Sequence, residues 1–198
     1  MKWILLSAFY LLLSPARSAV VWYEFTGTTA SSFRTLPAGT PFSVNLTYQQ
    51  DQTPISTFPR PPYPIIGASY TNITLSMMLG TDYYSLGQLS VNIWDYDWDT
   101  FEAYGMVTSP LGVPEYTVHL LLRASGSIWA GMQLPGPGLT LTDFDDTAQL
   151  ILGGSSGISS PLTSITSALV PEPGAVATAG AVSVLLLLRR RRGGRIWG

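Results

Sequence analysis

Phe42-Ser43-Val44-Asn45-Leu46-Thr47-Tyr48 decides the fold class. Apolar and polar side chains alternate at every step, so an extended chain places Phe42, Val44, Leu46 and Tyr48 on one face and Ser43, Asn45 and Thr47 on the other. A helical period would scatter both sets around a cylinder, so the pattern predicts a strand with one wet face. Tyr116 to Arg123 repeats the alternation, with Tyr116, Val118, Leu120 and Leu122 apolar and Thr117, His119, Leu121 and Arg123 opposite. Val20 to Phe25, Tyr70 to Leu79, Leu89 to Trp94 and Ala148 to Leu152 are further runs of strand-forming residues between Gly, Pro, Ser and Thr breaks. Short strands joined by turn-rich loops predict an all-β fold, an antiparallel β-sandwich or a jelly-roll-like body. Thr53 to Pro64 carries five prolines. Each removes a ladder donor, which excludes a central strand and predicts an exposed loop. Ser155 to Thr166, rich in Ser and Gly, is read as a final edge strand merging into a tether.

Both ends of the chain have a different character. Lys2 precedes an apolar stretch from Ile4 to Leu13, followed by Ala16, Arg17, Ser18 and Ala19. A short positive region, about ten apolar residues and small residues at alternate positions predict a secretory signal peptide over 1–18. Cleavage between Ser18 and Ala19 sets Ala16 and Ser18 at the −3 and −1 positions. At the other end, Val170-Pro171-Glu172-Pro173 precedes the apolar run Gly174 to Leu188, and Arg189, Arg190, Arg191 and Arg192 follow. As a helix, that run reaches roughly 22 Å against a hydrocarbon core of about 30 Å, a short transmembrane helix. The prolines oppose its backward extension, and the arginines hold its far end in the cytoplasm.

This tail resembles the PEP-CTERM sorting signal of Gram-negative bacteria. The likeness rests on Val170-Pro171-Glu172-Pro173, the apolar segment ending Val184-Leu185-Leu186-Leu187-Leu188 and the four arginines, three unlike elements in the right order. It departs from the pattern in having Gly174-Ala175-Val176 where Ser-Thr-Trp often follows, and in continuing through Gly193 to Gly198. The resemblance implies a substrate of an exosortase, a membrane-embedded cysteine transpeptidase-like enzyme, sorted through the bacterial inner membrane to the envelope or extracellular matrix beside exopolysaccharide. It also implies a β-rich ectodomain. The expected organisation is 1–18 signal peptide, 19–153 ectodomain, 154–169 final strand and tether, 170–192 sorting signal and 193–198 cytoplasmic tail.

Between the two signals lie about 150 residues, enough for one domain that buries roughly two thirds of its unfolded surface. Three arginines, Arg34, Arg60 and Arg123, face eleven carboxylates there, a net charge of −8 without a lysine. Such a body repels phosphate backbones, so nucleic acid is not an expected partner. The chain has no cysteine, which excludes disulfides, zinc–thiolate sites and a cysteine nucleophile.

Trp94-Asp95-Tyr96-Asp97-Trp98-Asp99 is the most unusual internal stretch. Extended, it sets Trp94, Tyr96 and Trp98 opposite Asp95, Asp97 and Asp99, a pattern able to stack on sugar rings and accept their hydroxyl hydrogens. The competing reading makes the aromatics core beside a solvated acidic rim. It is favoured, although Val91 and Ile93 share the aspartate phase and require the inward face to switch near Asp95. Read as an EF-hand, the run has Thr100 at its sixth position and Met106 at its twelfth, where Gly and Glu are required. Asp95, Asp97, Asp99, Asp143, Asp145 and Asp146 remain weak calcium candidates, and no cofactor is expected. His119 is the single histidine, mid-strand on the polar face, and Gly154-Ser155-Ser156-Gly157 lacks nucleophile-elbow spacing. The sequence therefore predicts an exported, non-enzymatic protein, with an exopolysaccharide-binding domain as the alternative and a secreted hydrolase third. Asn45-Leu46-Thr47 and Asn72-Ile73-Thr74 match a glycosylation pattern, which the resemblance of the tail to a bacterial signal implies is chance.

Overall fold

A computed structural model describes residues 19–59, 66–95, 98–108, 114–126, 128, 133–153 and 157–170. The alternation of residues 42–48 is met in β2 (Pro41–Gln49), where Phe42, Val44, Leu46 and Tyr48 are buried and the residues between them half-exposed. Its neighbour β1 (Val20–Thr28) buries Val21, Tyr23 and Phe25 in the same phase. The expected all-β, antiparallel class is the one observed. The strands form one eleven-stranded sheet in the order β3-β4-β7-β8-β9-β10-β11-β1-β2-β5-β6. The remaining strands are β3 (Ser56–Pro59), β4 (Ile66–Tyr70), β5 (Ile73–Leu79), β6 (Asp82–Ser85), β7 (Gly87–Asp95), β8 (Asp99–Thr108), β9 (Pro114–Ala124), β10 (Thr147–Leu152) and β11 (Ile158–Val170).

The sheet curls so that its two halves face one another. Tyr23 and Phe25 of β1 and Tyr48 of β2 meet Phe101 of β8 and Leu122 of β9 around a gap of about 10 Å³ that Pro135 and Leu139 help to line. The Tyr48 hydroxyl donates to the Pro135 carbonyl at 2.7 Å, and the Tyr23 hydroxyl to that of Gly136. Two buried phenols are thus satisfied by backbone, and the segment 133–139 is pinned over one end of the core. Each buried aliphatic or aromatic side chain here stabilises the fold by about 1.5–3 kcal/mol.

Several expectations are corrected. Tyr70 to Leu79 is two strands, because the chain passes from β4 to β5 through Thr71 and Asn72 and changes halves of the sheet. The proline-rich stretch 53–64 contains the edge strand β3, paired with β4; its Pro59 is its last residue, where the lost donor costs least. Residues 158–170 are neither edge nor tether: β11 lies inside the sheet and is paired through Val170. Its first residues pair with β10 and the rest with β1. A register shift opposite Thr26 and Gly27 breaks its periodicity, so Leu162 and Ile165 both turn inward. β6 and β8 were not foreseen.

Val20 is the register partner of Val170, so the beginning of β1 and the end of β11 lie side by side. Residues 1–18, where a signal peptide is expected, lie outside the described residues with Ala16 and Ser18. So do Pro171, Glu172, Pro173, the apolar run and Arg189 to Arg192. Among the described residues no helix is long and apolar enough to cross a membrane.

Gly27 sits where β1, β2 and β11 converge. A Cβ there would stand 2.5 Å from the Phe42 ring and 2.6 Å from the Pro161 carbonyl oxygen. Gly27→Ala is expected to cost about 1–3 kcal/mol through overpacking, read as a lower midpoint in chemical denaturation. An unchanged midpoint would refute the close approach.

Candidate binding face

In the half of the sheet built from β4, β7, β8 and β9, the inward phase belongs to Val91, Ile93, Phe101, Ala103, Val118, Leu120 and Leu122. Strand pleat then puts Asn92, Trp94, Glu102, Tyr104 and His119 on the outer face. Register brings them together: Trp94 is opposite Gly67, Asn92 opposite Ser69 and Glu102, and Tyr104 opposite His119.

The side chains engage one another. Trp94 Nε1–H and the Tyr104 hydroxyl each donate to Glu102 Oε2 at 3.2 Å. The Tyr104 and His119 rings stack with centroids 4.0 Å apart and planes 17° from parallel. The indole lies over Gly67, where a Cβ would come within 2.7 Å of two ring carbons. Glycine therefore lets the ring lie down on the sheet. The Ser69 hydroxyl donates to Asn92 Oδ1. Burial, helped by the neighbouring Glu102 carboxylate, pushes the Tyr104 phenol up to about 12, so it remains a donor at neutral pH. Burial lowers the His119 pKa, with Glu102 opposing, which keeps the imidazole uncharged.

Trp94 is therefore outside the core, contrary to the favoured reading of the aromatic run. The inward phase does not switch at a bulge; β7 ends at Asp95 and β8 begins opposite it at Asp99. Trp98 is 45% exposed, with the Arg123 guanidinium 5.5 Å from its ring centroid. Tyr96 and Asp97 lie outside the described residues.

The aspartates are separately employed. Asp99 belongs to no solvated rim: it is fully buried, and its Oδ2 accepts the Ile128 N–H at 2.6 Å. Asp143 accepts from Thr140 N–H and Oγ1 at 2.6 and 2.9 Å, capping the 3-10 turn Leu141–Asp143. Asp145 accepts from the Ser125 hydroxyl and its N–H, which lowers its pKa. Asp146 stands 3.6 Å from Arg123 in a surface ion pair, and Asp95 is half-buried at the end of β7. Among the described residues no three His, Asp or Glu side chains gather to hold a metal ion.

Sequence reasoning missed Glu102 and Tyr104. The signal was present: Phe101, Ala103, Gly105 and Val107 alternate with Glu102, Tyr104 and Met106. On the opposite half of the sheet, two open concavities of about 330 and 390 Å³ are lined by residues such as Thr47, Asn72 and Thr74, and Thr26, Ser43 and Thr163. Neither lining contains Asp, Glu, His, Lys or Arg.

Because the folded state holds His119 below its ordinary pKa of 6.5, the unfolded chain binds the proton first as pH falls. The stability that neutral His119 contributes is present above pH 6.5 and lost below it. Denaturation midpoints are expected to fall between pH 7.5 and 5.5, and His119→Phe to reduce that fall. Equal pH dependence in both proteins would contradict the burial of this imidazole.

No protein-family model, curated protein or solved structure matches this chain.

Proposed function

We propose that this chain is an exported, non-enzymatic protein of the cell surface or extracellular matrix. Its N-terminal signal delivers it, and an exosortase-type enzyme sorts and processes it at Pro171-Glu172-Pro173. The observation that carries the reading is the order of motif, apolar run and Arg189 to Arg192 behind a signal peptide. The fold is compatible with it: β1 and β11 are neighbours about 4.8 Å apart, so both junctions leave the sheet at adjoining points. A sandwich-like body between such junctions can stand on one side of a membrane while both flanks address it. The ectodomain is then the curled sheet from Val20 to Val170, with no separate tether.

Mass spectrometry of the C-terminus of the surface-released protein is expected to find it at or near the Pro-Glu-Pro motif. Recovery of intact Arg189 to Arg192 would overturn processing.

A second reading, binding of exopolysaccharide, is favoured by the outward placement of Trp94 and the exposure of Trp98. Aromatic faces beside hydrogen-bonding groups suit pyranose rings, which present C–H faces and hydroxyl edges. Replacing Trp94 and Trp98 together by Ala is expected to abolish glycan-array binding; a protein that binds undiminished would remove this reading.

A further inference from the structure

We propose that the glycan contact runs across the strands rather than along the β7–β8 turn, over the strip Trp94, Glu102, Tyr104 and His119, and that its ligand is an uncharged polysaccharide. This rests on the exopolysaccharide reading and gives it a site. In that strip Trp94 is the stacking platform and the Glu102 carboxylate accepts sugar hydroxyls.

Pre-organisation is the first support. The indole is held over Gly67 and tied through Nε1–H to Glu102 at 3.2 Å, so its plane is set before any ligand arrives. The Tyr104 hydroxyl reaches the same Oε2 at 3.2 Å, while its ring is stacked on His119. The carboxylate is thus fixed by donors on two strands. Ionised, it offers about four lone-pair sites over two oxygens, so two bonds on Oε2 leave acceptor capacity for hydroxyls. A site whose rotamers are already locked spends less binding energy on ordering. Trp94, Glu102, Tyr104 and His119 are each half-buried.

Charge is the second support. The strip has a carboxylate at its centre, and the described arginines are already paired: Arg34 with Glu115 at 2.7 Å, and Arg123, on the outer face of β9 with His119, with Asp146 at 3.6 Å and the Trp98 ring. A uronate or sulfated polymer would bring a second negative charge to Glu102, where the nearest described cation, Arg123, is already paired with Asp146, which disfavours anionic chains. Trp98, beside the Arg123 guanidinium, lies off the strip and is dispensable in this arrangement.

The test is affinity electrophoresis of the purified protein in gels containing hydroxyethyl cellulose, dextran or galactomannan, with carboxymethyl cellulose and alginate as anionic counterparts. Retardation is expected in at least one neutral gel and in neither anionic gel. Trp94→Ala and Glu102→Ala should each weaken it by about tenfold or more, equivalent to about 1.4 kcal/mol, and Trp98→Ala by less than about twofold, within the range of a dispensable contact. Thermal unfolding confirms that each variant folds. Glu102→Gln and Tyr104→Phe, which preserve shape, must also weaken binding. If Trp98→Ala abolishes retardation while Glu102→Gln and Tyr104→Phe retain it, the cross-strand site is wrong and the exopolysaccharide reading survives. Equal retardation in anionic gels overturns the uncharged ligand. No retardation in any gel removes both the site and the reading it rests on, whereas retardation in the anionic gels alone overturns the site and its uncharged ligand and leaves that reading standing.

Discussion

One strand is bonded into both halves of this sheet, and the rest of the structure depends on that double pairing. β11 pairs with β10 through residues 158–161 and with β1 from Leu162 to Val170. Without it the chain would be two open sheets, each with an apolar face and an exposed edge. With it, the halves close over a common core in which Tyr23, Phe25 and Leu46 are buried beside Phe101, Leu120 and Leu150. The contact also joins the two ends of the described chain, so a large loop must close before it forms, which favours slow, late assembly.

Closing the core in this way divides the chemistry. Inward positions are almost wholly apolar, and among the polar exceptions Asp99 Oδ2 accepts the Ile128 N–H and Ser160 Oγ the Ala30 N–H. Functional groups are left to the outer faces. The two faces differ: one carries Trp94, Glu102, Tyr104 and His119, whereas the other is dominated by hydroxyls such as Thr26 and Ser164, which bond one another at 2.6 Å. The free edges are managed as well. β3 and β6 have four residues each, one ending in Pro59 and the other beginning with Asp82, features that discourage pairing with another chain.

A surface lock of similar logic ties the loop after β1 to β9. Arg34 adopts φ 53, costly for a side chain with a Cβ, and is held by Glu115 at 2.7 Å and by the Tyr116 ring, 4.6 Å from its guanidinium. Phe33 meets the same ring edge-on at 5.1 Å. Backbone strain is tolerated there because several contacts converge on one residue.

Local alternation by itself determined the all-β class, because a period of two admits no other regular structure, and it identified β1, β2, β7, β9 and β10 from their own residues. It also determined that His119 and Arg123 share an outer face, while composition showed residues 19–169 to be acidic and the chain to be without cysteine. Only the tertiary structure decided the role of β11, since a bulge opposite Gly27 erases its period and its burial comes from neighbours far away in sequence. Only the tertiary structure placed Trp94 outside the core and beside Glu102 and Tyr104. An isolated run of aromatics carries no record of which face its strand presents; Val91 and Ile93 settle that by packing inward, and cross-strand register then brings the partners together.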